Sequence, residues 1–159
     1  MIEHNWEYKY RQAVEMRDTL GVYFSLRQFD LQKSFSILCN TTALGFLSWK
    51  GTPDQVDLVI EAGADPDFLD TAGMSPLHHV FNPSQLCIAQ RLIDHGADIN
   101  ISSPAGLTPL HKASMYGHKF YIEYLLRSGA NINLTTKSGR TVADLALNSS
   151  VLDLLDPYI

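Results

Sequence analysis

Six histidines, two cysteines and a set of recurring acidic loop residues are the groups in this chain that could ligate metal or move protons. Zinc needs Cys and His at short paired spacings, and no His–Cys cluster here has them. His78 and His79 are adjacent, so on a helix they diverge by about 100° and make poor co-ligands. His4 and His95 stand alone in the sequence. Cys39 and Cys87 have no nearby histidine-based arrangement and read as small, mostly buried apolar side chains. Asp65, Asp98 and Asn131 recur in loops without the twelve-residue pattern of a calcium site. Asp67, Asn100 and Asn133 close the same loops and are expected to bond local backbone. Phosphate-binding Gly-rich loops, Ser-x-Gly elbows and paired helical carboxylates are absent from the sequence. Near the N-terminus Glu3 and Glu7 are one helical turn apart, as are His4 and Tyr8. With Glu15 and Asp18 they could serve a hydrolase or metal-dependent enzyme, but thirty-six residues cannot enclose a pocket alone. No catalytic residue, metal ligand or cofactor is assigned.

The elements that carry these groups follow a repeat. Ser75-Pro76-Leu77-His78 recurs 33 residues later as Thr108-Pro109-Leu110-His111. Gly73, Gly106 and Gly139 keep the same step, as do Gly63-Ala64-Asp65, Gly96-Ala97-Asp98 and Gly129-Ala130-Asn131. A fixed period in this range marks a stacked array in which each unit packs only on its neighbours.

The third unit, about 103–135, is the clearest. Gly106 suits a turn at positive φ, where a Cβ would be unfavourable. Thr108 stands at a helix N-cap and Pro109 at the first helical position, where its missing N–H costs nothing. Leu110 and Ala113 face the core, Tyr116-Gly117-His118 breaks the helix, and a second helix over about 119–127 presents Ile122, Leu125 and Leu126. Gly129 closes it as a C′ glycine. The second unit, about 70–102, copies this with Leu77, Ile88, Leu92 and Ile93. Pro83 and Ser84 there predict a reshaped break between its helices. The first unit, about 37–69, is degenerate: Thr42-Ala43-Leu44 replaces Ser75-Pro76-Leu77, and Gly51 aligns with Gly117. The fourth, 136–159, has Val142 for Pro and Asp144 for His, as suits a terminal unit.

These residues resemble the ankyrin repeat family, whose signature is a turn, Thr-Pro-Leu-His, a helix pair and a Gly-Ala-Asp-x-Asn ending. The resemblance covers about residues 37–159. It implies an all-α repeat solenoid of about four units, each a β-turn plus a helix pair, with the N-terminal segment as a helical cap. In such proteins the signature histidines, here His78 and His111, tie neighbouring turns through backbone hydrogen bonds, and His118 is likewise structural. The segment 1–36 departs from the repeat. Residues 3–20 read as a helix with Trp6, Tyr10, Ala13 and Val14 on one side, and 22–29 as a short strand or second helix. A cap over the first unit is the expected role, with a dedicated binding element as the alternative.

The family's function is protein binding through a concave groove of turn tips and first helices. Carried onto this chain, the groove positions include Thr71, Met74, Pro104, Leu107, Lys137 and Arg140 in turns. The first-helix ends add Trp49 with Lys50, Asn82 with Pro83, and Met115 with Tyr116. Trp, Tyr and Met desolvate large areas at low entropic cost, which suits an interface centre. Trp49 could equally pack beneath the N-terminal segment.

Composition sets the bounds. The chain has 159 residues, 45% hydrophobic and 18% charged, with a net charge of -5 and a pI near 5.6. That balance is globular and gives no basic stripe for nucleic acid. One protein partner is the expectation, and the charge leaves a basic one open, although a modest acidic excess also serves solubility alone. A stand-alone acidic array of this kind could be a scaffold, or an inhibitor or immunity protein that occludes a cognate basic toxin or enzyme. No run approaches the roughly 18 apolar residues of a membrane span. No secretory or lipidation signal is evident in the sequence, so a cytoplasmic, reducing setting is the expectation.

Overall fold

The computed structural model describes residues 11–14 and 41–159. Its regular elements are helices. Helix α1, Ala43–Lys50, starts at Thr42, whose hydroxyl accepts the Gly45 amide at 2.9 Å. Helix α2, Pro53–Glu61, opens on a capping box in which Thr52 and Gln55 satisfy each other's amides. A 3-10 turn, Pro76–His79, follows, then a second at Pro83–Gln85 that feeds helix α3, Leu86–Asp94. Helix α4, Pro109–Tyr116, is capped by Thr108 and His111, and helix α5 spans Lys119–Arg127. A 3-10 turn at Ala143–Leu145, helix α6, Ser149–Leu155, and a last 3-10 turn, Asp156–Tyr158, complete the order.

The expected helix pairs are all present, but two first helices are cut to single turns. In the second unit the turn ends at Val80, extended at φ -82 and ψ 116, and Pro83 then disfavours helical backbone at Asn82. Asn82 is extended at φ -117 and ψ 151. The Gln85 side chain then accepts the Phe81 and Asn82 amides at 2.8 and 3.0 Å, holding the reversal. In the fourth unit Asp144 turns back onto the Thr141 amide and hydroxyl, both at 2.8 Å, and Ala146 leaves the helix.

The elements pack in two rows. Helix α1, the 76–79 turn, α4 and the 143–145 turn contact one another in succession, while α2 packs on α3 and α5 on α6. Between the rows runs one continuous core that includes Leu44, Leu47, Leu77, Leu92, Leu110 and Leu125, with Ala13 and Val14 buried against it. Each fully buried Leu contributes about 2 kcal/mol by area removed from water. Tyr121 joins the core while donating from its hydroxyl to the Leu77 carbonyl at 2.8 Å. Tyr121→Phe is expected to leave that carbonyl unpaired and cost about 1–2 kcal/mol in urea denaturation. An unchanged midpoint would contradict the role given to this bond.

Backbone hydrogen bonds register each unit on the next. His78 accepts the Ser75 amide at Nδ1 and donates from Nε2 to the Leu107 carbonyl at 3.0 Å. The acidic loops do more than close themselves. Asp65, Asp98 and Asn131 accept amides two residues on. Asp67 and Asn100, expected to bond locally, reach across instead to the Asp98 and Asn131 amides at 2.9 and 2.8 Å. The step of 31 residues that they span is too long to register as a local turn in the sequence.

Three further expectations change. Cys87 is exposed, not buried, because it lies on the outer side of α3 away from Ile88 and Leu92. Gly51 is extended at φ -83, unlike Gly117 at +70, so the aligned glycines close their helices differently. His95 is not alone: its Nε2 meets Asp57 Oδ1 at 3.0 Å. Cys39, His4 and the N-terminal capping segment, apart from 11–14, lie outside the described residues, as do the acidic groups considered for an enzyme there.

Candidate interaction face

The turn tips line up along one edge. The Lys137 amide donates to the Ala105 carbonyl at 3.0 Å, and a Cβ placed on Gly73 would run into Pro104. Each tip is closed in the same way, by Asp70, Ser103 and Thr136 amides donating to the carbonyls of Met74, Leu107 and Arg140. Thr71, Pro104, Lys137 and Arg140 are therefore exposed in a row, with Met74 and Leu107 half-buried behind them. The first-helix row adjoins these tips, as where His78 bonds the Leu107 carbonyl.

The helix ends deepen it. Met115 and Tyr116 are 36% and 54% exposed at the close of α4. Asn82 is exposed one unit earlier. Trp49 is half-buried, edge-on to Phe46 at 6.2 Å, with the Lys50 ammonium 4.3 Å above its ring. Its carbonyl accepts from the Gln85 side chain, which fixes the end of α1 to the second unit.

What the sequence did not single out is the cluster that joins these positions. Tyr116 stacks on His118 at 5.9 Å, and His118 tilts against Phe81 at 5.6 Å. The Lys112 ammonium lies 5.0 Å over the Phe81 ring. Two shallow clefts of about 300 and 340 Å³ adjoin here and share Phe81 and His118, with Phe120 at the rim. Lys112 and Tyr116 are four apart on one helix, a spacing that could have paired them in advance. Phe81 could not be found that way. The 33-residue register sets it opposite Ser114, which is buried in α4, and only the shortened first helix turns it outward. His118, expected to be structural, opens α5 through its carbonyl and also lines the cleft.

The charges beneath the cluster are fixed. Asp70 is buried, with Oδ2 2.8 Å from His79 Nε2 and Oδ1 accepting the Ala72 and Met74 amides. Burial alone would raise its pKa, but the His79 bond and the turn amides outweigh burial and hold it below the usual carboxylate value. The Thr41 hydroxyl also contacts His79, at 3.2 Å. Lys112 is pulled down by burial, with Asp70 opposing, and His118 is pulled down by burial and by the Lys112 charge. Both effects favour the neutral imidazole in the stack. Among the described residues no group of three or more His, Cys, Asp or Glu could hold a metal ion. Nor is any helix there long and apolar enough to cross a membrane.

A two-row helical array, with a shallow aromatic face flanked by turn tips, defines the class: a repeat protein of the kind that offers an extended surface. The family model for ankyrin repeats matches residues 44–136 and 80–155, in three copies, so the chain belongs to the ankyrin repeat family. Members of this family are in general protein–protein interaction modules. No curated protein matches the sequence.

Proposed function

We propose that this chain is a non-enzymatic module holding one protein partner on the face built from the turn tips and first helices, centred on the second and third units. The observation that carries this reading is the exposed cluster of Met115, Tyr116, Phe81 and His118 beside Lys112. Its rings already stack on one another, so little side-chain freedom remains to be lost on binding. Four short units could cover a standard interface of roughly 800 Å² per partner.

The test is recovery of a stoichiometric partner from native lysate by the intact chain, compared with Met115→Ala/Tyr116→Ala. Truncating two central contacts is expected to weaken the partner about thirtyfold, the size of an interface hot spot. Equal recovery by both would remove the face from the account. A partner whose enzymatic activity vanishes on binding would mark the chain as an inhibitor, and one that keeps its activity as a scaffold ligand.

A further inference from the structure

The net charge of -5 suggests a basic partner, but the charge is not spread evenly over the array. Asp54, Asp57, Glu61, Asp94, Glu123 and Asp153 all lie on the second helices α2, α3, α5 and α6. The loops after α2 and α3 add Asp65, Asp67 and Asp98. Lys50, Lys112, Lys137 and Arg140 lie on the opposite row, at the first-helix positions and turn tips. Two carboxylates share that row, Asp70, which is buried, and Asp144, which is exposed. Asp70 is buried and its oxygens are taken by His79, Ala72 and Met74. Asp144 is bonded to Thr141 and is held below its usual pKa by those bonds, with the Arg140 charge adding to them.

The second helices also carry cations, Arg91, Lys119 and Arg127. Arg91 pairs with Asp57 at 3.4 Å, and Lys119 bonds Ser150. On the inner row, among the described residues, none of Lys50, Lys112 and Lys137 has a carboxylate within ion-pair distance. Lys50 and Lys112 rest instead over aromatic rings, Trp49 and Phe81. A cation over a ring keeps its donors outward and loses little when a carboxylate arrives.

Resting on the binding face proposed above, we infer that its occupant is an acidic protein segment, whose carboxylates meet Lys112, Lys137 and Lys50 while an aromatic or aliphatic side chain enters beside Phe81 and Tyr116. Opposite potentials across an interface steer encounter and fix register, whereas the anionic second helices repel the same segment from the outer side.

Selection of displayed random sixteen-residue peptides on the intact chain tests this. The enriched peptides are expected to carry a net negative charge and at least one large apolar residue. Their affinity is expected to fall about tenfold in Lys112→Glu/Lys137→Glu, and to weaken as salt rises from 50 to 300 mM. Reversal on the outer side, Asp94→Lys, is expected to leave it unchanged. Enriched peptides that are neutral or basic overturn the inference, as does an affinity indifferent to the lysine reversals. Binding of a single-stranded oligonucleotide with the same lysine dependence would also overturn a protein segment as the occupant. Neutral ligands still weakened by Met115→Ala/Tyr116→Ala would leave the binding face standing and remove only its acidic preference. Selection of no ligand, or of ligands indifferent to that double change, would remove the face and the inference together.

Discussion

Acidification from about pH 7.5 to pH 4 is expected to cost this fold up to about 3 kcal/mol through His78 alone. The His78 ring is buried between Ser75 and Leu107, and burial lowers its pKa from 6.5 to about 4, against the opposing effect of the Leu107 carbonyl. The folded chain therefore keeps the imidazole neutral where the unfolded chain would already protonate it. Stability from this group is complete above pH 6.5, declines as the pH falls, and is exhausted near pH 4, at about 1.4 kcal/mol per unit. His111, buried in the next unit, is also shifted down by burial and adds loss of the same sign. Asp70, whose pKa is lowered from 3.8, acts only in the more acid carboxylate range. Urea denaturation at half-unit steps of pH separates the two windows. His78→Gln is expected to be less stable at pH 7.5 but to show a flatter profile from pH 6.5 to 4. A native profile flat across that interval would contradict the assignment.

The second large effect is at a turn tip. Gly106 sits at φ +80, and a Cβ there would lie 2.7 Å from the Lys137 amide nitrogen and 3.0 Å from the Thr136 backbone. Gly139 has nearly the same backbone, φ +77, but a Cβ there meets nothing within 4 Å. Gly139→Ala is therefore expected to cost about 1–2 kcal/mol, the strain of a left-handed non-glycine residue. Gly106→Ala adds to that a clash against backbone that cannot rotate away, and the sum is about 3 kcal/mol or more. The difference between the two variants measures how closely the third and fourth tips are seated. Equal losses would mean that the tips are free to separate, and would weaken any account in which they form one rigid edge.

The period of 33 residues made most of the fold legible. Pro at the first helical position after Ser75 and Thr108, glycine after the second helices α2, α3 and α5, and apolar residues at 122, 125 and 126 each have a local physical cause that a sequence displays. The shortened first helices were legible only in part. Pro83 announced a break, but not that Gln85 would fold back on Phe81 and Asn82 and so expose the Phe81 ring. The surface was legible where it follows the repeat, in the exposure of Thr71, Pro104, Lys137, Met115 and Tyr116. It was not legible where it depends on contacts between units. Lys112 over Phe81 and His118 against both rings are tertiary facts, and the ladder from Asp67 to Asp98 crosses a full unit. Net charge carries no direction, being a sum over the chain, whereas most of the helical carboxylates lie on the second helices.

The most direct test of the binding face is the dissociation constant of the purified partner for three chains: native, Met115→Ala/Tyr116→Ala, and Arg127→Ala on the outer row. Binding through the face requires about a thirtyfold loss for the double change and none for Arg127→Ala. If the double variant bound as tightly as the native chain, or the outer change were the one that weakened binding, the partner would dock elsewhere and the central reading would be wrong.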